Sequence, residues 1–295
     1  MIRSYAIVTP ARDEADNLPR LAACLAEQTV QPEAWKIVDN GSTDGTREVA
    51  ERISAEHDWV EVLSLRGSSA ADRGAPVVRA LTAGIAAVDE PPQILVNVDA
   101  DISMRPSYFE RLLARFDEDP SLGIASGSAF EMRHGTWEQR YVTGSTVWGA
   151  SRAYRWECLQ ELLPLEGRVG WDGVDEFKAN ARGWRTAAFE DLPFHHHRRE
   201  GERDGSTWQL RRNQGEAAYY LGYRSWYLVL RALWHMRQEP GALGMVWGYT
   251  ASAIRRDPRN PDAEGRAYLR SQQSPRNLRR RAHEASGNRG RLGLE

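Results

Sequence analysis

Short apolar runs alternate with amphipathic stretches through the first two thirds of the chain. The runs resemble buried strands and lie at residues 5–8, 35–38, 60–65, 94–98 and 124–126. The stretches between them place apolar residues on one helical face, at residues 18–25, 46–56, 77–87 and 106–116. Strands that alternate with helices predict right-handed βαβ units. We therefore expect an α/β fold with a single, Rossmann-like, mostly parallel sheet flanked by helices.

The pattern loosens in the last third of the chain. A helix is expected over 174–181, with Gly183 as the signal that stops it, and a strand is expected over 185–189. Two aromatic-rich apolar segments follow at 217–236 and 243–254, both too short or too charged to span a bilayer. They would pack on the main domain or lie in a membrane interface. The sequence thus predicts a main domain over 1–205, a C-terminal helical extension over 206–256, and an Arg-rich tail over 257–295 that is partly disordered or helical.

Composition narrows the possible functions. The chain has 295 residues and a formal net charge of −2, which gives no overall attraction to nucleic acid. Its two cysteines lie far apart, no signal peptide is visible, and no apolar stretch of about 20 residues occurs. These features favour a reduced, cytoplasmic setting. Contact of the aromatic segments with the inner face of the membrane is a further expectation.

Two carboxylates, Asp99 and Asp101, directly follow the apolar run 94–98. Residues two apart in an extended chain point to the same side, so both would face the crevice at the end of a parallel strand. Two acids held this close repel each other unless a cation lies between them. Oxygen ligands favour Mn²⁺ or Mg²⁺, and Mg²⁺ usually completes its shell with substrate phosphates. A solvated turn is the alternative explanation.

Three other polar loops are expected at strand ends, at residues 9–14, 38–46 and 170–176. The carboxyl ends of parallel strands share one edge of a sheet, and α/β folds place their functional loops there. We therefore expect these loops to gather around Asp99 and Asp101.

These motifs resemble those of the family 2 glycosyltransferases, inverting enzymes with the GT-A fold. Residues 38–46, Val-Asp-Asn-Gly-Ser-Thr-Asp-Gly-Thr, are similar to the family signature V-D-D-G-S-T-D-G-T, with Asn40 in place of one Asp. Residues 10–14 resemble the family's opening P-x-R/Y-N-E, and residues 99–101 match its metal-binding D-x-D. The resemblance covers residues 1 to about 200, and it implies a catalytic domain there that binds a nucleotide-sugar.

The resemblance implies a donor site at the first three motifs. Asp39 would accept a hydrogen bond from the imide N–H of a base, which suits uracil and, less directly, guanine. Asp101 would bind the metal directly, with Asp99 beside the ribose and the metal, and the cation would bridge the diphosphate. The implied nucleotide contacts are Pro10, Ala11, Arg12, Glu14, Asp39, Arg73 and Asp99. The alternative for Asp39 is a turn in which its side chain bonds its own backbone.

Inverting transfer requires a carboxylate that takes the proton of the acceptor hydroxyl. The family places this base in an E-D pair, ahead of a helix that ends in G-W or G-Y. The expected spacing is eleven residues, and Gly183 lies eleven residues after Asp172. Asp172 is therefore the predicted base, although an aromatic residue precedes it where the family has an acid. Asp175 and Glu176 are the alternatives.

Three histidines and two arginines follow the last expected strand. Alternation points His196 away from His195 and His197. The family often has a histidine here that completes the metal shell, and matching an H-H-R pattern assigns that role to His196. Arg198 and Arg199 would hold the diphosphate from a loop that closes over the donor, or else be solvated.

Together these features predict an inverting, metal-dependent hexosyltransferase with Mn²⁺ or Mg²⁺ as cofactor. It would move a sugar from a UDP-sugar, or alternatively a GDP-sugar, to an acceptor hydroxyl in polysaccharide or glycolipid synthesis. A sugar-phosphate nucleotidyltransferase would need a glycine-rich phosphate loop after the first strand, and residues 9–12 contain no glycine. A catalytically silent nucleotide-binding module is the third hypothesis, and the intact D-x-D and Asp172 argue against it.

Overall fold

A computed structural model describes residues 2, 4–65, 75–133, 135–140, 146–167, 170–198, 207–236 and 240–278. These residues divide into two compact units. The first comprises the described residues up to Arg198 without Asn180–Arg182, and the second comprises Asn180–Arg182 with the described residues that follow Arg198.

Nine strands form one sheet in the first unit, as far as the chain is described. They are β1 (Tyr5–Ala11), β2 (Ala34–Asp39), β3 (Val60–Ser64), β4 (Ile94–Val98), β5 (Ile102–Met104), β6 (Leu122–Arg133), β7 (Thr136–Gln139), β8 (Ser151–Arg155) and β9 (Arg185–His196). Their order is β3-β2-β1-β4-β8-β6-β9-β5, and β7 pairs with β6.

Six helices accompany these strands along the chain. They are α1 (Leu18–Ala26), α2 (Thr46–Glu56), α3 (Ala75–Ala86), α4 (Tyr108–Glu118), α5 (Trp156–Leu162) and α6 (Trp171–Ala181). Successive residues of β1 belong to different apolar clusters, with Tyr5 and Ile7 in one and Ala6 and Val8 in the other. Since side chains alternate along a strand, the sheet has a core on each face. This explains why the central strands are apolar throughout.

The expected α/β fold is confirmed, with differences in its second half. Strands β1 to β4 pair in parallel, whereas β8 runs antiparallel to both of its neighbours, β4 and β6. The short strand β5 was not expected, and β9 continues past Phe189 to His196. The last two differences share a cause: the extension of β9 pairs with β5, a contact distant in sequence. Helix α6 begins three residues before residue 174, so Asp172 lies in its first turn.

The described residues of the second unit are mainly helical. Its helices are α7 (Thr207–Tyr220), α8 (Ser225–Met236), α9 (Leu243–Arg255) and α10 (Ala263–Gln272). Glycines bring α7 and α9 together, because a Cβ added at Gly215 would lie 2.0 Å from the Met245 carbonyl oxygen. The outer faces of α8 and α9 are apolar, with Leu233 52% exposed and Trp247 58% exposed. None of the described helices is long and apolar enough to cross a membrane.

Candidate active site

Hydrogen bonds join the loops that follow β1 and β2. Asp13 has a left-handed backbone conformation (φ 55°), and its Oδ1 accepts the Thr43 N–H at 2.8 Å. Its own N–H donates to Ser42 Oγ at 3.0 Å, and the Glu14 N–H donates to Thr46 Oγ1 at 2.7 Å. The first two sequence motifs are therefore one structural piece, with Glu14 held inside it.

Asp39 is buried at the end of β2, and it makes the turn that was the alternative explanation. Its Oδ1 accepts the Ser42 N–H at 3.0 Å and the Ser42 hydroxyl at 2.5 Å. Pro10 and Ala11 end β1 beside it, since Ala11 is in register with Asp39. The half-buried Arg12 follows, with its Nε 3.9 Å from an oxygen of Asp13. The role of these residues in nucleotide binding stays a prediction, and Arg73 lies outside the described residues.

Asp99, Asp101 and His196 form a cluster at the end of β4. Each offers one potential ligand atom, and these atoms lie within 4.8 Å of one another. His196 Nε2 lies 3.3 Å from Asp101 Oδ1, because β5 places Ile102 opposite His196 on β9. Two carboxylates and an imidazole that converge in this way form a donor set that fits a divalent cation.

The electrostatics of this cluster also fit a cation. Burial, followed by the negative charge of Asp101, raises the pKa of Asp99 to about 6. Burial acts in the same direction on Asp101, but the hydrogen bond and charge of His196 and the charge of Arg198 lower its pKa overall. The two carboxylates thus do not ionise equally easily. A cation between them would remove the repulsion that separates them.

Arg198 connects the first motif to this cluster. Its guanidinium donates two hydrogen bonds to Glu14, at 2.7 and 2.8 Å. Its Nη1 also lies 3.5 Å from Asp101 Oδ2. Arg198 therefore contacts acidic side chains at the place where it was expected to hold a diphosphate. Arg199 lies outside the described residues, and the diphosphate role of both arginines stays a prediction.

Asp172 lies in the first turn of α6, half-buried and close to the Gly149 backbone. Its Oδ1 accepts the Gly173 N–H at 2.9 Å, and its Oδ2 would lie 3.7 Å from a Cβ added at Gly149. The Gly149 carbonyl accepts a hydrogen bond from Asn97 Nδ2 at 2.7 Å, and the same nitrogen lies 3.3 Å from Asp99 Oδ1. Gly149 and Asn97 thus connect Asp172 to the D-x-D motif.

The two alternative bases, Asp175 and Glu176, are buried and engaged. Asp175 Oδ2 accepts the Tyr154 hydroxyl at 2.9 Å, and Glu176 Oε1 accepts Arg152 Nη2 at 2.8 Å. Burial raises the pKa of each carboxyl to about 7, although the positive charge of Arg152 opposes the rise. On this helix, Asp172 is therefore the more accessible carboxylate, which supports its assignment as the base without testing it.

Several residues of the site were missed by the sequence reasoning. Glu131 is 1% exposed, with Oε1 4.0 Å from His196 Nδ1, and Arg152 is fully buried. The available signal for Glu131 was a charged residue between Phe130 and Met132 in a mostly apolar strand, since a buried charge must find a partner. The expected alternation of the histidines is confirmed: His195 stacks on Trp137 with ring centroids 4.2 Å apart, while His196 faces Asp101.

Comparisons with known proteins bear on the fold and the family of this chain. Polyprenol monophosphomannose synthase of Mycolicibacterium smegmatis is 30% identical over 190 residues, which is 63% of this chain and 63% of the relative. The chain thus spans less than two thirds of that relative's length. The mannosyltransferase PcManGT of Pyrobaculum calidifontis, solved with GDP-Man and Mn²⁺, has a TM-score of 0.56 at 16% identity, covering 95% of this chain and 84% of that one.

A second solved structure, S. aureus TarS 1-349 with UDP-GlcNAc, has a TM-score of 0.55 at 15% identity and covers 90% of this chain and 78% of that one. These structural likenesses confirm the GT-A fold. The family model described as Glycosyl transferase family 2 matches residues 6–163. This match covers more than half of the sequence and all of the D-x-D strand, and the chain therefore belongs to glycosyl transferase family 2.

Proposed function

We propose that the protein is an inverting glycosyltransferase that uses a divalent cation and a nucleoside diphosphate sugar. The observation that carries the proposal is the convergence of Asp99, Asp101 and His196 at one strand end, with Asp172 across the Gly149 backbone. Displacement at a sugar carbon is assisted by both features. A cation stabilises the leaving diphosphate, and a carboxylate takes the acceptor proton.

Asp99, Asp101 and His196 would hold Mn²⁺ or Mg²⁺, which supplies positive charge that stabilises the departing diphosphate. Asp172 takes the proton of the acceptor hydroxyl onto a carboxylate oxygen. The acceptor oxygen forms a bond to the anomeric carbon, and the bond from that carbon to the diphosphate oxygen breaks. The nucleoside diphosphate leaves with the bonding electron pair. Attack from the face opposite to the leaving group inverts the configuration at this carbon.

The donor in this proposal is a UDP-sugar, with a GDP-sugar as the alternative. Asp39 would accept the imide N–H of the nucleobase on its Oδ2, because the two hydrogen bonds from Ser42 go to Oδ1. The guanidinium of Arg198 would exchange Glu14 for the diphosphate, which it can bind with the same two-pronged geometry. The two solved relatives hold UDP-GlcNAc and GDP-Man, so both nucleotides belong in a test.

The acceptor is a hydroxyl on a lipid-linked or saccharide substrate, reached at a membrane surface. The outer apolar faces of α8 and α9 carry Leu233, Trp247 and Ile254, the last 82% exposed. Residues 207–278 contain eleven arginines against five acidic residues. Apolar and aromatic side chains with surrounding positive charge suit the interface of an anionic bilayer. The name of the polyprenol monophosphomannose synthase relative agrees with a lipid acceptor.

The reaction is tested by incubating the purified protein with UDP- and GDP-sugars and Mn²⁺ or Mg²⁺, and measuring released UDP or GDP. We expect release with one donor, lost on removal of the cation and in D101A. The matched control is E118A, which removes an exposed carboxylate at the end of α4, 66% exposed and remote from the cluster. Release that is unchanged in D101A, or absent with every donor, would contradict the proposal.

The membrane contact is tested separately by sedimentation with phosphatidylcholine vesicles, with and without phosphatidylglycerol. We expect the wild type to sediment with the anionic vesicles, and L233E/W247E to stay in the supernatant. E118A serves as the control here as well, because Glu118 is exposed and lies on α4, outside these two helices. Equal sedimentation of the wild type with and without anionic lipid would contradict the electrostatic part, and no sedimentation at all would refute the contact.

A further inference from the structure

The segment 147–150 joins the D-x-D strand to the helix that carries Asp172. Its Ala150 carbonyl accepts the Asp99 N–H at 2.9 Å, and its Gly149 carbonyl accepts Asn97 Nδ2 at 2.7 Å. At its other end, the Val147 N–H donates to Glu176 Oε1 on α6 at 2.7 Å. The position of this segment therefore sets how far Asp172 lies from the metal cluster.

A buried arginine completes this connection. Arg152 Nη2 donates to Glu176 Oε1 and to the Val147 carbonyl, both at 2.8 Å. The guanidinium carbon lies 5.8 Å from the ring centroid of Trp171 and 5.9 Å from that of Tyr154. Arg152, Glu176 and Val147 thus form a closed ring of hydrogen bonds, and two aromatic rings restrict the orientation of the guanidinium.

Stability alone does not account for this ion pair. Hydrophobic residues of similar volume often stabilise a core as well as a buried ion pair does, because both charges must leave water. Arg152 Nε and Nη1 moreover have no hydrogen-bond partner among the described residues. What the pair does provide is a fixed geometry directly behind the first turn of α6, where Asp172 lies.

We propose that the Arg152–Glu176 pair is a positioning element for the transfer step, an inference that rests on the proposed role of Asp172 as the base. It holds the segment 147–150 and the first turn of α6 at a fixed separation. Asp172 consequently meets the acceptor hydroxyl in the geometry that proton transfer needs. Neither Arg152 nor Glu176 contacts the substrate.

The test compares R152M, R152K and R152M/E176Q with the control R155M. Arg155 lies on the same strand, at the end that pairs with Ile94, and it donates to the carbonyls of Leu122 and Phe116. Since a misplacement of about 1 Å can cost about 10²-fold in rate, we expect kcat to fall by about that factor in R152M and in the double variant. The KM for the donor and the Kd for UDP or GDP with Mn²⁺ should stay unchanged.

We expect R152K to recover part of the kcat, and R155M to lose thermal stability with kcat intact. If R152M does not fold, the double variant carries the test, because Glu176 then no longer carries a buried charge that has lost its partner. A folded double variant with wild-type kcat would overturn the inference. D172N in the same assay separates the two hypotheses: a fully active D172N refutes the proposed base, whereas an inactive D172N beside a fully active double variant refutes only the positioning role.

Discussion

Two acidic clusters contact the segment 147–150, and their charge is balanced in different ways. Asp175 and Glu176 share the fully buried Arg152, which belongs to the fold and cannot leave. Asp99 and Asp101 instead face each other beside His196 and the partly exposed Arg198, and their mutual repulsion still contributes to the raised pKa of Asp99. A cluster whose cation is fixed in the core is structural, whereas a cluster whose repulsion persists is suited to receive a cation from solution.

The largest effect should come from D101N, which tests whether the first cluster receives a cation. Loss of a ligand should weaken Mn²⁺ binding by more than the ~10–100-fold that outer-shell changes cost. Folding stability without metal should fall only slightly, because Asp101 loses its charge interactions with His196 and Arg198 while Asp99 loses a repelling neighbour. Titration calorimetry with Mn²⁺ and UDP measures the first effect, and urea denaturation the second. Unchanged Mn²⁺ affinity would mean that this cluster, too, is only structural.

D172N and D175N compare an accessible carboxylate with a buried one on the same helix. We expect kcat to fall by about 10²–10⁴-fold in D172N, the usual contribution of a general base, while binding of UDP with Mn²⁺ is retained. In D175N, the amide oxygen still accepts the Tyr154 hydroxyl, so transfer should continue. Single-turnover kinetics and nucleotide titrations measure both. An active D172N beside an inactive D175N would show that the assignment is reversed.

Asn97 offers a way to uncouple the clusters. N97L keeps the approximate volume but removes the donor to the Gly149 carbonyl, which leaves that carbonyl without this bond. The expected loss is about 1–3 kcal/mol in the free energy of unfolding, the usual consequence of an unmet buried polar group. Urea denaturation provides the measurement, with R155M as the reference for loss of other backbone contacts. Undiminished stability would show that the segment 147–150 is held without Asn97.

The effect that should change the transfer reaction least is a dependence of stability on pH. Asp175 and Glu176 keep their protons up to about pH 7 in the folded protein, whereas both lose them near about pH 4 when unfolded. The folded state binds more protons between these values, so stability should fall as pH rises from about 4 to about 7, and then level off. E176Q should give a shallower slope, and stability that rises over this range would contradict the assignment.

Local patterns in the sequence were enough to predict most of the fold's first half. The helix over 46–56 and the strand over 94–98 match the structure at both ends, since apolar spacing marks each of them. Strand β5 has three residues and exists because it pairs with β9, about ninety positions later in the chain. No local pattern marks such a strand, because its partner is distant in sequence.

The same distinction holds for the site. Asp99, Asp101 and His196 were expected together, since two lie at a strand end and the family resemblance supplied the third. The buried pair of Arg152 and Glu176 was not expected, because its members are 24 positions apart and each is an ordinary charged residue when considered alone. Family motifs led to the ligand candidates, whereas the packing behind them depends on contacts that belong to this chain.

The reversed direction of β8 has a consequence for how the protein can change in length. Because β8 runs against β4, its first residue pairs with the last residue of β4, Ser151 with Val98. The chain that enters β8 must therefore pass the D-x-D motif and the start of α6 within a few residues. We therefore expect an insertion or deletion of one residue between 147 and 151 to displace Asp99, Asp172 or both. The length of this short segment thus sets the distance between the D-x-D motif and the start of α6. Variants of this chain should tolerate a change in that length less than changes elsewhere.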